Sequence, residues 1–219
     1  MHQVAEGVFH IPLAPRNAIN AYLLGDRLVD AGTPQSAKKL LRSLQGHSVS
    51  AHALTHGHGD HAGGSRAVAD ALAVPVWVGA LDAADVESGK PVVADTVARP
   101  LLRRVGTYPG VPVARQLREG DDVGHGFMVL EVPGHSAGHV AFWREADRVL
   151  VCGDVWFNLH LTTLRPGLRE PPRMLTPDPA RNRDSARRLA ALEPQLALFG
   201  HGPPLRDPAR LRAFTATLA

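Results

Sequence analysis

The chain has a single cysteine, Cys152, among 219 residues. That excludes an internal disulfide and fits a reducing compartment, so the expected location is the cytoplasm. Lysine is nearly missing, at Lys38, Lys39 and Lys90 only, so arginine carries the basic character and the formal charge is just +3. So small a surplus, with no aromatics interleaved among the arginines, argues against nucleic acid as a partner. Long apolar runs are also missing. The longest, residues 71–81, is broken by Pro75 and is too short to span a bilayer, so no membrane is expected. No basic leader followed by an apolar block opens the chain, and no secretory signal is expected. What is present, 44% hydrophobic and 21% charged residues, is the composition of an ordinary globular protein. Residues 1–219 are expected to form one domain with a substantial core.

Strand patterns cover 7–13, 18–24, 28–30, 49–54 and 74–78, then resume from Val123 at 127–132, 140–143, 149–152 and 196–199. Thr33 and Pro34 read as a helix cap and first helical position, followed by Ala37, Leu40, Leu41 and Leu44 at helical spacing. Further helices are expected after Gly63-Gly64-Ser65, through Val68 and Leu72, and at 182–192 and 208–218. Residues 81–110 are expected to hold a helix or two and a flap. The proline-rich stretch 156–179 reads as an irregular lid. RLVDAG (27–32) and RVLVCGD (148–154) echo one another, each an apolar strand ending in an acidic residue and glycine. Two similar β-rich halves imply an α/β protein, an αββα sandwich of two mixed sheets face to face with helices on the outer faces.

Four polar patches directly follow strands, each flanked by glycine: THGHGDHAGG (55–64), PGH (133–135), GD (153–154) and GHG (200–202). Imidazole and carboxylate are ligands that zinc prefers, and strand-end loops can gather distant segments into one site. In an extended turn His56 and His58 point to one side, while Asp60 and His61, beyond Gly59, can turn toward a neighbouring position. Seven such groups are too many for one tetrahedral ion and suit two ions sharing a carboxylate.

This arrangement resembles the metallo-β-lactamase fold superfamily of hydrolases, and within it the glyoxalase II-like branch. The resemblance runs from LVDAG through the HxHxDH motif to GHG. It implies that His56, His58 and His135 bind a first metal ion, that Asp60, His61 and His201 bind a second, and that Asp154 bridges them. Asp30 would orient a ligand imidazole. The implied cofactors are two divalent ions, zinc first, with iron or manganese as alternatives. The implied activity is hydrolysis of an ester, thioester, lactone or related carbonyl bond of a small-molecule substrate by a metal-bridged hydroxide, with Asp60 as the catalytic group orienting it. No Gly-x-Ser-x-Gly motif points to a serine hydrolase instead. Only 18 residues follow His201, which argues against the helical glutathione-binding segment of glyoxalase II proper.

Two other chemistries share these ligands. A persulfide dioxygenase-like enzyme would hold a single iron on His56, His135 and Asp154, and a phosphodiesterase would draw on the arginines between Arg165 and Arg188. Those arginines read first as a solvated helix and loop neutralised by Glu170, Asp178 and Asp184. His2, His10, His47 and His125 read as surface residues, His52 as a packed one, and His139 as a hydrogen-bonding support. Trp77 and Trp143 read as core aromatics, Trp156 and Phe157 as pocket or core. Substrate choice is expected to reside in 81–110 and 156–179.

Overall fold

A computed structural model describes residues 1–92, 95 and 106–218. One sheet has seven strands in chain order: β1 (His2–Ala5), β2 (Val8–Pro12), β3 (Asn20–Leu24), β4 (Arg27–Val29), β5 (Ala51–Ala53), β6 (Val76–Gly79) and β7 (Val113–Leu117). Strands β1 to β4 are antiparallel neighbours, and β4 to β7 run parallel. Parallel neighbours need crossovers, and these contain α1 (Ala37–Ser43), α2 (Ser65–Leu72) and α3 (Ala83–Ser88).

The second sheet comprises β8 (Asp122–Gly124), β9 (Phe127–Glu131), β10 (Val140–Arg144), β11 (Val149–Gly153) and β14 (Leu196–Phe199), in the order β14-β11-β10-β9-β8. Only β11 and β14 are parallel there, and the chain reaches β14 through α4 (Pro179–Ala191). A separate hairpin, β12 (Phe157–Leu159) with β13 (Pro166–Arg169), precedes α4, and α5 (Pro208–Ala216) follows β14. Both α4 and α5 begin at Asp-Pro, where Asp178 and Asp207 accept from the backbone N–H three residues on.

Alternation along each strand divides the residues between a shared core and an outer one. Val140 and Phe142 of β10, Val149 and Val151 of β11, and Leu196 and Leu198 of β14 meet Tyr22, Leu24 and Val29 of the other sheet. Their neighbours Ala141, Trp143, Leu150, Cys152, Ala197 and Phe199 face Ala186, Leu189 and Leu211 of α4 and α5. On the opposite side Ala21, Leu23 and Leu28 pack on Leu40 and Val68 of α1 and α2. The result is the expected four-layer sandwich, with every layer joined by apolar contact.

Several local expectations change. Strands β1 and β7 were not expected; each closes an edge of the seven-stranded sheet. Residues 156–179 contain the β12–β13 hairpin rather than wholly irregular chain, and Trp156 is buried in the outer core. Trp77 is only partly buried, with the guanidinium groups of Arg27 and Arg115 over its ring. Much of the flap expected within 81–110 falls outside the described residues. Among the described residues no helix is long and apolar enough to cross a membrane.

Candidate metal centre

Chain direction places the polar patches together. Strands β9, β11 and β14 point the same way, so their C-terminal ends, which carry His135, Asp154 and His201, share one edge. Strand β5 delivers residues 55–61 to that edge, where the Val140 N–H donates to Thr55 O at 2.8 Å across the two sheets. The seven residues singled out from the sequence lie in one cluster. His56, His58, His61, His135, Asp154 and His201 are buried, and Asp60 is partly open, with 37% of its side chain exposed.

The centre of the cluster is Asp154 Oδ2. It lies 3.2 Å from His201 Nε2, 3.3 Å from His61 Nε2, 3.3 Å from His135 Nε2 and 3.9 Å from His56 Nε2. His58 Nδ1 sits 3.1 Å from His56 Nε2 and 3.0 Å from His135 Nε2. On the other flank His201 Nε2 is 3.2 Å from Asp60 Oδ2 and 3.4 Å from His61 Nε2. Three groups therefore bring ligand atoms within 4.8 Å of one another: His56, His58 and His135; His56, His61 and Asp154; Asp60, His61 and His201.

For four of the five rings, all but His58, the far side explains why the lone pair points inward. His61 Nδ1 donates to Asp30 Oδ2 at 2.8 Å, His56 Nδ1 to Thr55 Oγ1 at 3.1 Å, His135 Nδ1 to Thr176 Oγ1 at 3.1 Å and His201 Nδ1 to Ala18 O at 2.5 Å. An imidazole that spends its proton outward keeps an acceptor facing inward. Asp30 is itself fixed by the Thr55 N–H at 2.8 Å and the Thr55 hydroxyl at 2.9 Å. His139, buried, accepts the Asp154 N–H at Nε2, 3.2 Å, and so supports the loop of the central carboxylate. His52 is packed against Ser65 Oγ at 2.8 Å.

Such a convergence of imidazole nitrogens and carboxylate oxygens favours positive charge at its centre. Burial alone would raise the Asp154 carboxyl, but the charges of His201 and His61 outweigh it and hold the group well below the ordinary carboxylate range. Burial likewise opposes protonation of His61, yet Asp154 and Asp30 carry it well above its usual value; Asp154 and Asp60 similarly carry His201 to about 10. On the other flank burial, reinforced by neighbouring imidazoles, pushes His58 down to about 3 and His56 well down also. A buried carboxylate oxygen, Asp154 Oδ1, and a buried nitrogen, His58 Nε2, have no protein partner. Nitrogen and carboxylate donors of this kind suit divalent zinc, iron or manganese. The residues fit a pair of cations.

Asp60 and His58 face a pocket of about 310 Å³ whose walls include Thr33, Pro34, Gln35 and Leu175. The Phe157 ring packs beside that of His201, centroids 4.3 Å apart and planes tilted by 45°, a contact with the site itself. Three of the seven arginines between Arg165 and Arg188 are ion-paired: Arg183 with Glu170 at 2.6 Å, Arg187 with Asp184 at 2.8 Å and Arg188 with Glu119 at 2.5 Å. One histidine departs from expectation. His10 is buried, its Nε2 donating to Asn20 Oδ1 at 2.8 Å while Asn20 Nδ2 donates to the carbonyls of Phe199 and Gly202. Asn20 thereby clasps the loop of His201, a role that no local motif around it signals.

Fold and donor set together are those of metal-dependent hydrolases. The chain belongs to the metallo-beta-lactamase superfamily, whose family model matches residues 14–201. A probable metallo-hydrolase of Bacillus subtilis, YflN, is 29% identical over 81% of this chain and 75% of its own length. A hydroxyacylglutathione hydrolase of Methylococcus capsulatus is 32% identical over 74% of this chain and 57% of its own. This chain thus spans about half the length of the hydroxyacylglutathione hydrolases it matches. Among solved structures, TTHA1623 in a di-iron-bound form is 32% identical with a TM-score of 0.67, covering 96% of this chain and 98% of its own. The B3 metallo-beta-lactamase BLEG-1 is 28% identical with a TM-score of 0.68, covering 90% and 93%.

Proposed function

We propose that this chain hydrolyses an ester, thioester or lactone of a small molecule at a dinuclear centre. His56, His58 and His135 would hold one divalent ion, Asp60, His61 and His201 the other, and Asp154 both. The observation that carries this reading is the placement of Asp154 Oδ2 within 3.9 Å of four imidazole nitrogens drawn from both triads. Bound ions would supply an acidified water as nucleophile and a Lewis acid for the carbonyl oxygen.

The chain's own groups do the rest. Asp60, partly open to the pocket, accepts a hydrogen bond from the attacking water and orients it toward the substrate carbonyl. Asp30, Thr55, Thr176 and the Ala18 carbonyl fix the ring planes, so that no reorientation is needed during reaction. Phe157 shields the centre from one side and Pro34 and Leu175 wall the pocket, which lowers the local dielectric around the reacting carbonyl. Zinc is the first assignment for the metal; iron is supported as an alternative by the similarity to TTHA1623 in its di-iron form.

The test is a panel of thioester, lactone, β-lactam and phosphodiester substrates given to zinc-reconstituted protein, with oxygen uptake measured on the iron-loaded form. Turnover of a thioester or lactone is the expected result. Turnover of the phosphodiester alone, or oxygen consumption with a persulfide and no hydrolysis, would replace this reading.

A further inference from the structure

Asp82 lies outside every metal-type motif, yet it is 2% exposed and its two oxygens meet three donors. Oδ2 accepts from the Gly57 N–H at 2.9 Å and from the Ser136 hydroxyl at 2.6 Å; Oδ1 accepts from the Gly138 N–H at 2.6 Å. Gly57 sits between His56 and His58, and Ser136 directly follows His135. One carboxylate therefore ties together the two loops that carry the His56, His58 and His135 triad. The Gly57 peptide is held from its other side as well, because Tyr108 donates its hydroxyl to Gly57 O at 2.7 Å. Asp82 also occupies the cap position of α3, but its side chain makes no capping bond there. The carboxylate is turned from its own helix toward the metal loops. The Gly57 and Gly138 N–H groups can only donate, one to each oxygen, so an amide in place of the carboxylate must turn an N–H toward at least one of them.

We propose that Asp82 is a positioning residue that sets the separation of His56 and His58 from His135, and so the affinity of the ion held by that triad. The inference rests on the reading of these three histidines as metal ligands. Outer partners of metal ligands typically change affinity by about 10–100-fold when removed. Since Asp82 acts through backbone and hydroxyl contacts on both loops, a loss of at least about tenfold is expected at this one site.

The experiment measures stepwise zinc affinity by chelator competition in wild-type protein, Asp82→Asn and Asp82→Ala. His135→Ala and His201→Ala identify which step belongs to which triad. In Asp82→Asn the step lost in His135→Ala should weaken by tenfold or more, while the step lost in His201→Ala stays within about threefold of wild type (~0.6 kcal/mol). Asp82→Asn keeps the shape of the side chain and serves if Asp82→Ala fails to fold. Unchanged affinities with a lowered melting temperature would make Asp82 merely structural and overturn the proposal; equal weakening of both steps would do the same. Because the readout is metal affinity, absence of hydrolysis refutes only the substrate reading, whereas a wild-type chain that binds no zinc refutes both.

Discussion

A single methyl group at Gly200 should disable the centre. Its backbone is not in the left-handed region that disfavours side chains, so alanine itself is conformationally acceptable there. The obstacle is contact. A Cβ at this position would point at Asp154 Oδ1 and at His61 Cε1, in both cases about an ångström or more inside the 3.4 Å at which ordinary contact begins. Asp154 and His61 are buried and tied to His201, His135 and Asp30, so the strain must displace the central carboxylate or the His201 loop by about 1 Å. Misplacement of that size costs about 100-fold in rate, and overpacking costs about 1–3 kcal/mol of stability. Gly200→Ala should therefore remain folded, melt several degrees lower, lose tight binding of at least one zinc ion and drop kcat about 100-fold. Gly57→Ala, within the histidine motif itself, is the contrast. Its Cβ would meet nothing nearer than Asp85 Cβ and Val86 Cγ2, both at 3.5 Å, so zinc stoichiometry and kcat should stay within about threefold of wild type. If the two variants behaved alike in zinc titration and turnover, close packing around Asp154 would not be what holds the ions.

Removal of the central carboxylate in Asp154→Ala should lower zinc stoichiometry and hydrolysis together, read by elemental analysis and initial rates; full occupancy with normal turnover would contradict the proposal that it is shared by two ions. His135→Ala should weaken the step assigned to the His56 and His58 side more than that of the His61 and His201 side, measured by chelator competition, and an equal loss in both would contradict the division into triads. Acid should destabilise the metal-free protein through His52 and His10, which burial depresses from 6.5 to about 4. Between those values the unfolded chain binds protons that the folded chain refuses, so stability present above pH 6.5 is lost as the pH falls toward 4, by about 3 kcal/mol for each histidine. The urea midpoint of chelator-treated protein should fall over that window and fall less in His52→Gln; an identical decline in the variant would count against the assignment.

The candidate site was legible because its chemistry is local in the chain. His56, His58, Asp60 and His61 occupy six positions, and His135, Asp154 and His201 each follow an apolar strand, so strand direction alone predicts a common edge. The central strands were legible for a related reason: β10, β11 and β14 bury both faces and read as unbroken apolar runs. Edge strands carry less of that signal. In β7 only Leu117 is fully buried, with Ala114 and Gln116 exposed, and β1 has no buried residue at all. His10 read as surface because its partner Asn20 lies across a strand pair, contact that only the β2–β3 register creates. Asp82 was invisible for the same cause: its three donors come from loops 25 to 56 residues away.

Crystals of the zinc-loaded protein, with anomalous scattering recorded at the zinc edge, test the central claim most directly. Two peaks should appear on either side of the Asp154 carboxylate, one among His56, His58 and His135 and the other among Asp60, His61 and His201. A single peak, or zinc bound anywhere outside these seven side chains, would contradict it.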